Sequence, residues 1–225
     1  MKRAIFTRAD ENIKEMTDIT HPILKRYVKK CDADFIISKE DDKYHPHYRI
    51  LQLYDLFKEY DRILCLDSDI LILKSCPDIF NLVPVHQIAS IYEDKGSRKK
   101  DRRNRIQKIQ NERKDVGWRE GYINSGVILF SRMHRDLFSM KKEDLWMALG
   151  YDDVELGFQI HKNKYSIYEL PYKFNHMSMF SEEWNNASKF ESYIIHYAGN
   201  GFYRQIDRTE QIRQDYLILK KYGFI

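Results

Sequence analysis

The chain has 225 residues, of which 43% are hydrophobic and 32% charged, with a formal net charge of +4. That is enough apolar material to bury a sizeable core in one large domain or two small ones. The near-balanced charge argues against a nucleic-acid binder, and no apolar run approaches the roughly 20 residues that a membrane span needs.

Three cysteines, Cys31, Cys65 and Cys76, are odd in number and form no metal-type pair, which points to a reduced, intracellular protein. Lys2 and Arg3 are followed by no long apolar stretch, so no signal peptide is expected and the cytoplasm is the expected location. Tyr and Phe are abundant, at 16 and 12 copies, and aromatic surfaces suit rings and sugars as well as cores.

In chain order, Ala4-Ile5-Phe6-Thr7 reads as a first strand. Residues 11 to 30 read as a helix broken near His21-Pro22, and Phe35 to Ser38 as a second strand. Helical spacing follows from Tyr48 to Tyr60, with Ile50, Leu51, Leu53, Tyr54, Leu56 and Phe57 on a broad apolar face. The run from Arg62 to Leu73 is apolar except at Asp67, Ser68 and Asp69 after its first residue, and reads as a strand buried on both faces. Unpaired carboxylates are too costly to bury, so the acid pair marks a strand end that opens into a cleft, where a hard divalent cation is the natural partner. Pro77 to Leu82 reads as a helical turn and Gln87 to Tyr92 as a further strand. This alternation predicts an open α/β sheet with parallel strands.

From residue 93 to 118 the chain is rich in Lys and Arg, as in Arg98-Lys99-Lys100-Asp101-Arg102-Arg103, and is expected to be a charged, mobile surface insertion, partly helical. Gly121 to Phe130 reads as a strand with a polar start. Helices are expected over Lys142 to Leu149 and Asp153 to Lys162, and short strands over Tyr165 to Leu170 and Tyr193 to Tyr197. Gly199-Asn200-Gly201 reads as a turn, and a terminal helix is expected from Glu210 to Tyr222, within a C-terminal segment 205–225. The whole chain is expected to form one domain.

Four motifs stand in a fixed order: the Asp-x-Asp strand, Asn124-Ser125-Gly126-Val127, Leu170-Pro171-Tyr172-Lys173-Phe174-Asn175, and His196-Tyr197-Ala198-Gly199. Together they resemble a glycosyltransferase of the GT-A fold. The greatest similarity is to glycosyltransferase family 8, the glycogenin and lipopolysaccharide-galactosyltransferase group, from about residue 3 to about residue 204. The resemblance implies a Rossmann-like, open, mixed but mainly parallel sheet flanked by helices. It also implies a nucleotide-sugar donor, in the family usually a UDP-hexose, with a manganese ion held at Asp67, Asp69 and His196; magnesium is the second choice. A divalent cation stabilises the negative charge that gathers on a departing diphosphate.

Further site residues follow from the same resemblance. Thr7, Arg8 and Ser68 fall where the family lodges the nucleoside, although the loop Arg8-Ala9-Asp10 departs from the family pattern and leaves the base open. Arg49 matches a basic donor contact, and Asn124 and Ser125 match residues facing the donor sugar. Gly199 and Asn200 fit a phosphate loop, where the family's Lys is missing and Arg204 stands as the substitute cation. Asp152 and Asp153 stand where the family has an Asp-Gln pair; Asp153 would lie near the reacting carbon, opposite the leaving group, to stabilise an oxocarbenium ion or attack it. Capping of the following helix is the alternative for Asp152. The stretch Asp152-Asp153-Val154-Glu155-Leu156 is also faintly similar to the Glu-Asp-x-Glu-Leu of inverting family 2 enzymes.

The implied function is metal-dependent transfer of a hexose-like sugar to a glycan or other glycoconjugate acceptor, with retention. An inverting GT-A enzyme and a sugar nucleotidyltransferase are the alternatives. The basic run from Arg98 to Lys114 has three readings: a solvated loop, a lid or acceptor arm, or a surface for anionic lipid or nucleic acid. Arg208, Arg213, Lys220 and Lys221, with Tyr216, Leu217 and Leu219, allow peripheral contact with a membrane; the other reading is plain docking of the terminal helix.

Overall fold

A computed structural model of the chain describes residues 1–40, 44–182, 184–199 and 207–225. Its central strand pair is β1 (Arg3–Thr7) and β3 (Arg62–Leu66), parallel, with Thr7 opposite Leu66. Strand β2 (Asp34–Ile37) lies parallel on the outer side of β1. On its other side β3 pairs antiparallel with β6 (Val127–Ser131), which pairs antiparallel with β5 (Ile88–Ser90). Strand β7 (Ile167–Glu169) closes the sheet parallel to β5, giving the order β2-β1-β3-β6-β5-β7. The sheet is thus mixed and mainly parallel. Among the described residues of this sheet β6 alone runs against the others, in accord with the mixed, mainly parallel sheet that the resemblance implies, and that reversal brings the start of β6 beside the end of β3.

The apolar run from Arg62 to Leu73 is two strands rather than one. Strand β4 (Ile70–Ile72) leaves the main sheet and pairs antiparallel with β8 (Ile194–His196), Ile70 facing His196. The break falls on Asp67-Ser68-Asp69, where the cost of burying charge stops the first strand.

Strand alternation sorts β3 between two apolar layers. Leu64 and Leu66 join Ile5, Val127 and Leu129 on one face, packed against helix α1 (Lys14–Lys30). Ile63 and Cys65 join Phe6, Ile128 and Phe130 on the other, covered by Leu53, Phe57, Phe138 and Leu156. All three cysteines are buried and unpaired.

Several local expectations need correction. Helix α1 runs unbroken through Pro22. A proline inside a helix removes one hydrogen bond, but buried Met16, Thr20, Ile23, Leu24 and Tyr27 hold the helix on both sides of it. The segment from Tyr48 to Tyr60 is not one α-helix: Pro46 opens a 3₁₀ stretch, Pro46–Gln52, and only Leu53–Leu56 (α2) is α-helical. A single short turn, Ile79–Leu82 (α3), follows β4, capped by the Asp78 side chain.

The charged segment expected at the surface contains helix α4 (Lys99–Glu112), and one face of it is buried. Ile106 and Ile109 pack with Trp118, Tyr122, Val154 and Phe158 in a third apolar cluster, shared with helix α5 (Tyr151–Lys162). Residues 142–149 form only a 3₁₀ turn, Lys142–Asp144. Beyond it the Trp146 N–H donates to Glu155 at 2.7 Å and the Trp146 carbonyl accepts from Tyr48, so side chains replace the helical bonds. Helix α6 (Arg208–Lys221) ends the fold, with Asp207 as its N-cap. Among the described residues no helix is long and apolar enough to cross a membrane.

Candidate active site

The tip of β3 is fixed by the reversed strand beside it: the Asp67 N–H donates to the Gly126 carbonyl at 2.9 Å. Two residues on, the Asp69 carbonyl accepts from the Tyr197 N–H at 3.0 Å, which ties the acid pair to the end of β8. His196 consequently faces both acids. Its Nε2 lies 3.5 Å from Asp67 Oδ2 and 3.2 Å from Asp69 Oδ1. The ligand atoms of these three residues all fall within 4.8 Å of one another. Neighbouring ligands of an octahedral ion at ~2.1 Å lie about 3 Å apart. Two carboxylate oxygens and one imidazole nitrogen at this spacing fit a divalent ion such as manganese or magnesium.

The outward oxygens of the pair are held by cations. Arg8 Nη2 donates to Asp67 Oδ1 at 2.6 Å, and Arg208 Nη1 to Asp69 Oδ2 at 2.8 Å. Burial opposes the charge on Asp67, but Arg8 and His196 outweigh it and hold that carboxyl well below the usual range. Burial likewise opposes the charge on His196, but Asp69 and Asp67 overcome it and push the imidazole up to about 10. Gly126 makes the close approach feasible: a Cβ there would lie 2.2 Å from His196 Cε1 and 2.9 Å from Asp67 Oδ2.

Arg8 also joins the acid pair to α5. Its Nη1 donates to Asp152 Oδ2 at 2.5 Å and to the His47 carbonyl at 2.7 Å. Asp152 Oδ1 lies 3.2 Å from His47 Nδ1, and the Ser125 hydroxyl donates to Asp152 Oδ2 at 2.8 Å. The N-cap of α5 is Gly150, in the left-handed region at φ 101°, so Asp152 does not cap the helix. It lies in the first turn, where the helix dipole favours negative charge. Burial opposes its ionisation, yet Arg8 and His47 keep its carboxyl below the usual range. Asp153 behaves oppositely. It accepts the Ser125 N–H at 2.7 Å, but burial, then Asp152 and Glu93, push it up to about 7.

The remaining expected residues differ in what holds them. Thr7 and Ser68 are buried and bonded to each other at 3.0 Å, with the Ser68 hydroxyl donating to the Arg8 carbonyl, so their hydroxyls brace the strand tips. Arg49 pairs with Asp10 at 2.9 Å, on the loop after β1. Asn124 is buried with its side chain engaged by Glu93, Asn175 and Gly126. Gly199 takes φ +64°, a conformation that glycine adopts without strain, and among the described residues nothing lies within 4 Å of a Cβ placed there. Asn200 and Arg204 lie outside the described residues.

Sequence reasoning missed four participants: His47, Glu93, Asn175 and Arg208. Asn175 ends one of the quoted motifs and His47 lies two residues before Arg49, so both stood beside visible signals. Arg208 was read as a surface cation of the terminal helix; it reaches Asp69 across 139 residues of sequence. A cavity of about 250 Å³ opens here, lined by Arg8, His47, Asp67, Ser68, Asp69 and Arg208. At its rim the rings of His45, His47 and Tyr151 lie nearly parallel, with centroids 4.5–5.0 Å apart.

A family model described as Glycosyl transferase family 8 matches residues 3–201. Solved structures of similar fold include a glycosyltransferase involved in the glycosylation of the major capsid of PBCV-1, at TM-score 0.63 and 13% identity, covering 96% of this chain and 100% of that one. The galactosyltransferase LgtC, in complex with donor and acceptor sugar analogues, gives 0.61 and 12%, covering 99% and 100%. The glycosyltransferase GlyE of Streptococcus pneumoniae TIGR4 gives 0.57 and 16%, covering 100% of this chain and 63% of that one. Likeness at such identities is a likeness of fold, and the fold is GT-A. No curated protein sequence matches the chain.

Proposed function

This chain belongs to glycosyl transferase family 8 and is a nucleotide-sugar-dependent glycosyltransferase; on that premise we propose that it moves a hexose-like sugar from a UDP-sugar to a carbohydrate or glycoconjugate acceptor, with Mn²⁺ and with retention. The observation that carries the reading is the convergence of Asp67, Asp69 and His196 beside the cavity. Bound by these three, the ion supplies positive charge to a departing diphosphate.

The chain's own groups do the rest. Arg8 and Arg208 stand at the acids with bidentate-capable guanidinium groups suited to phosphate oxygens. Asp152, ionised and fixed by Arg8 and Ser125, offers acceptor oxygens to sugar hydroxyls. The ionised form of Asp153 is placed to stabilise positive charge at the anomeric carbon. Asn124 keeps the strand start in register between these groups.

One observation favours a second reading. A carboxyl poised at about 7 suits a general base, so Asp153 also fits an inverting enzyme that deprotonates the acceptor hydroxyl. The anomer of the product, read by NMR, separates the two. For the donor reading, hydrolysis of UDP-hexoses is measured with Mn²⁺, with EDTA, and for Asp69→Asn with Mn²⁺. Turnover is expected only in the first; equal turnover in all three ends the proposal.

Nucleic acid is not an expected partner. A peripheral membrane contact is supported by exposed Leu217, Ile218, Tyr222 and Phe224 close to Lys220 and Lys221. Co-sedimentation with anionic vesicles, lost on Leu217→Ser, tests that contact.

A further inference from the structure

Behind the site runs a buried chain of polar side chains, of which the reaction scheme above uses only His196 and Asn124. It starts on α4, where Arg102 Nε donates to Glu93 Oε2. The other oxygen, Glu93 Oε1, accepts from Asn124 Nδ2 at 2.7 Å. Asn124 Oδ1 accepts twice, from the Gly126 N–H at 3.0 Å and from Asn175 Nδ2 at 2.8 Å. Asn175 Oδ1 in turn accepts from His196 Nδ1 at 2.8 Å. Every member is buried, and Asn175 has no exposed surface at all.

The order of donors and acceptors in this chain is forced. A carboxylate only accepts, so Asn124 must turn its NH₂ towards Glu93. A backbone N–H only donates, so Gly126 independently requires the Asn124 oxygen on its own side. With Asn124 fixed from both ends, Asn175 must present NH₂ to Asn124 and its oxygen to His196. An oxygen facing Nδ1 demands a proton there. The neutral imidazole then carries its free lone pair on Nε2, the nitrogen that faces Asp67 and Asp69. An imidazole ligand whose second nitrogen is so bonded has its tautomer and ring plane set before the ion arrives.

We infer that Glu93 and Asn175 are positioning residues: through Asn124 they select the Nδ1–H tautomer of His196 and aim its Nε2 at the ion. The outer anchor is Arg102, which bonds Glu93 from the basic helix α4. The inference rests on the metal reading above and extends it to residues that touch neither ion nor donor.

The probes are Mn²⁺ alone and Mg²⁺ alone. Mn²⁺ affinity is measured by EPR titration of the full chain, and melting in EDTA is recorded for each protein. Second-neighbour changes of this kind typically cost 10–100-fold in metal affinity. Glu93→Gln and Asn175→Ala are each expected to weaken Mn²⁺ binding by roughly that factor. Glu93→Gln is isosteric; its single oxygen cannot accept from both Arg102 and Asn124, so the Asn124 amide loses its outer hold while the Gly126 N–H still keeps its oxygen inward. Nitrogen-15 NMR of histidine-labelled, Mg²⁺-loaded protein should show a protonated, slowly exchanging Nδ1–H on His196 in the wild type and faster exchange of that proton in both variants, a signature of the lost hydrogen-bond chain. Should Asn175→Ala fail to fold, Glu93→Gln decides. Variant affinity within twofold of wild type, or a His196 Nδ1–H that exchanges at the wild-type rate in both variants, overturns this inference alone. A wild type that binds neither ion overturns the metal reading and this inference with it.

Discussion

A single methyl group tests how tightly the strand tip is built. In Gly126→Ala the new Cβ would lie 2.2 Å from His196 Cε1, 2.9 Å from Asn124 Oδ1 and 2.9 Å from Asp67 Oδ2. Something must move, and the choices are few. The Gly126 backbone is held by the Asp67 N–H on its carbonyl and by Asn124 Oδ1 on its own N–H. His196 is held through Nδ1 by Asn175. Overpacking of a well-filled site costs about 1–3 kcal/mol. For a chain of this length each kcal/mol lowers Tm by about 2–4 °C, so a fall of roughly 2–12 °C is expected in EDTA. The imidazole is the group displaced, so Mn²⁺ affinity should fall as well, by roughly tenfold or more. Calorimetric melting in EDTA followed by an EPR titration reads both. A variant that melts within roughly 1 °C of wild type and binds Mn²⁺ equally well refutes the reasoning, because the tip would then have room that the geometry denies it.

Asp153 is protonated more readily in the fold than in the unfolded chain, so its contribution to stability is complete below about pH 4 and is lost as the pH rises through about 7. Asp153→Asn should therefore melt higher relative to wild type at pH 8 than at pH 5 in metal-free buffer; a constant difference across that range would contradict the assignment. Gly157→Ala on α5 gains roughly 1 kcal/mol of helix propensity, but its Cβ would meet Trp118 Cη2 at 2.3 Å. Trp118 is buried and cannot yield, so a net loss of about 1–2 kcal/mol is expected in urea unfolding. Arg62 is buried, and its Nε and Nη2 have no partner among the described residues, only Nη1 reaching the Phe80 carbonyl. Arg62→Met removes that desolvated charge and should leave Tm unchanged or raise it by a few degrees; a fall of several degrees would mean that an ordered water or ion satisfies the guanidinium.

What the sequence made visible follows from physical cost. The strands β1 and β3 were legible because a continuous apolar run has few alternatives, and the acid pair because charge inside such a run demands a reason. The buried face of α4 was not. Its apolar residues are only Ile106 and Ile109, and the rest of that face is closed by Arg102 and Gln110, whose polar heads are satisfied by Glu93 and Trp118. Hydrophobic periodicity cannot register a residue buried through its partner, since the partner is fixed by tertiary contact. Arg208 escaped for the same reason: nothing local distinguishes it from Arg213, which pairs at the surface with Glu15 and Glu210. The Asp152 carboxyl was visible as a residue but its partner was not, because Arg8 lies 144 positions away.

The reversal of β6 explains why these distant residues meet. In an open α/β sheet ligands collect beyond the carboxyl ends of the strands, here the ends of β1 and β3 that carry Thr7, Arg8 and Asp67. A parallel β6 would bring its last residue, Ser131, to that edge; running antiparallel, it places Ser131 opposite Arg62 and Val127 opposite Leu66. The edge thus receives the segment entering the strand, Asn124 to Gly126, which carries two polar side chains and a glycine. Ser125 then bonds Asp152 and Asp153 of α5, and Asn124 bonds the chain that ends on His196. Strand β5 ends at the same edge where β6 begins, Tyr92 being bridged antiparallel to Ile123, so the pair needs no crossover, and residues 93–118 leave that edge and come back to it. The stretch that separates two halves of the site in the sequence is an excursion from that edge, and its helix α4 delivers Arg102 to Glu93.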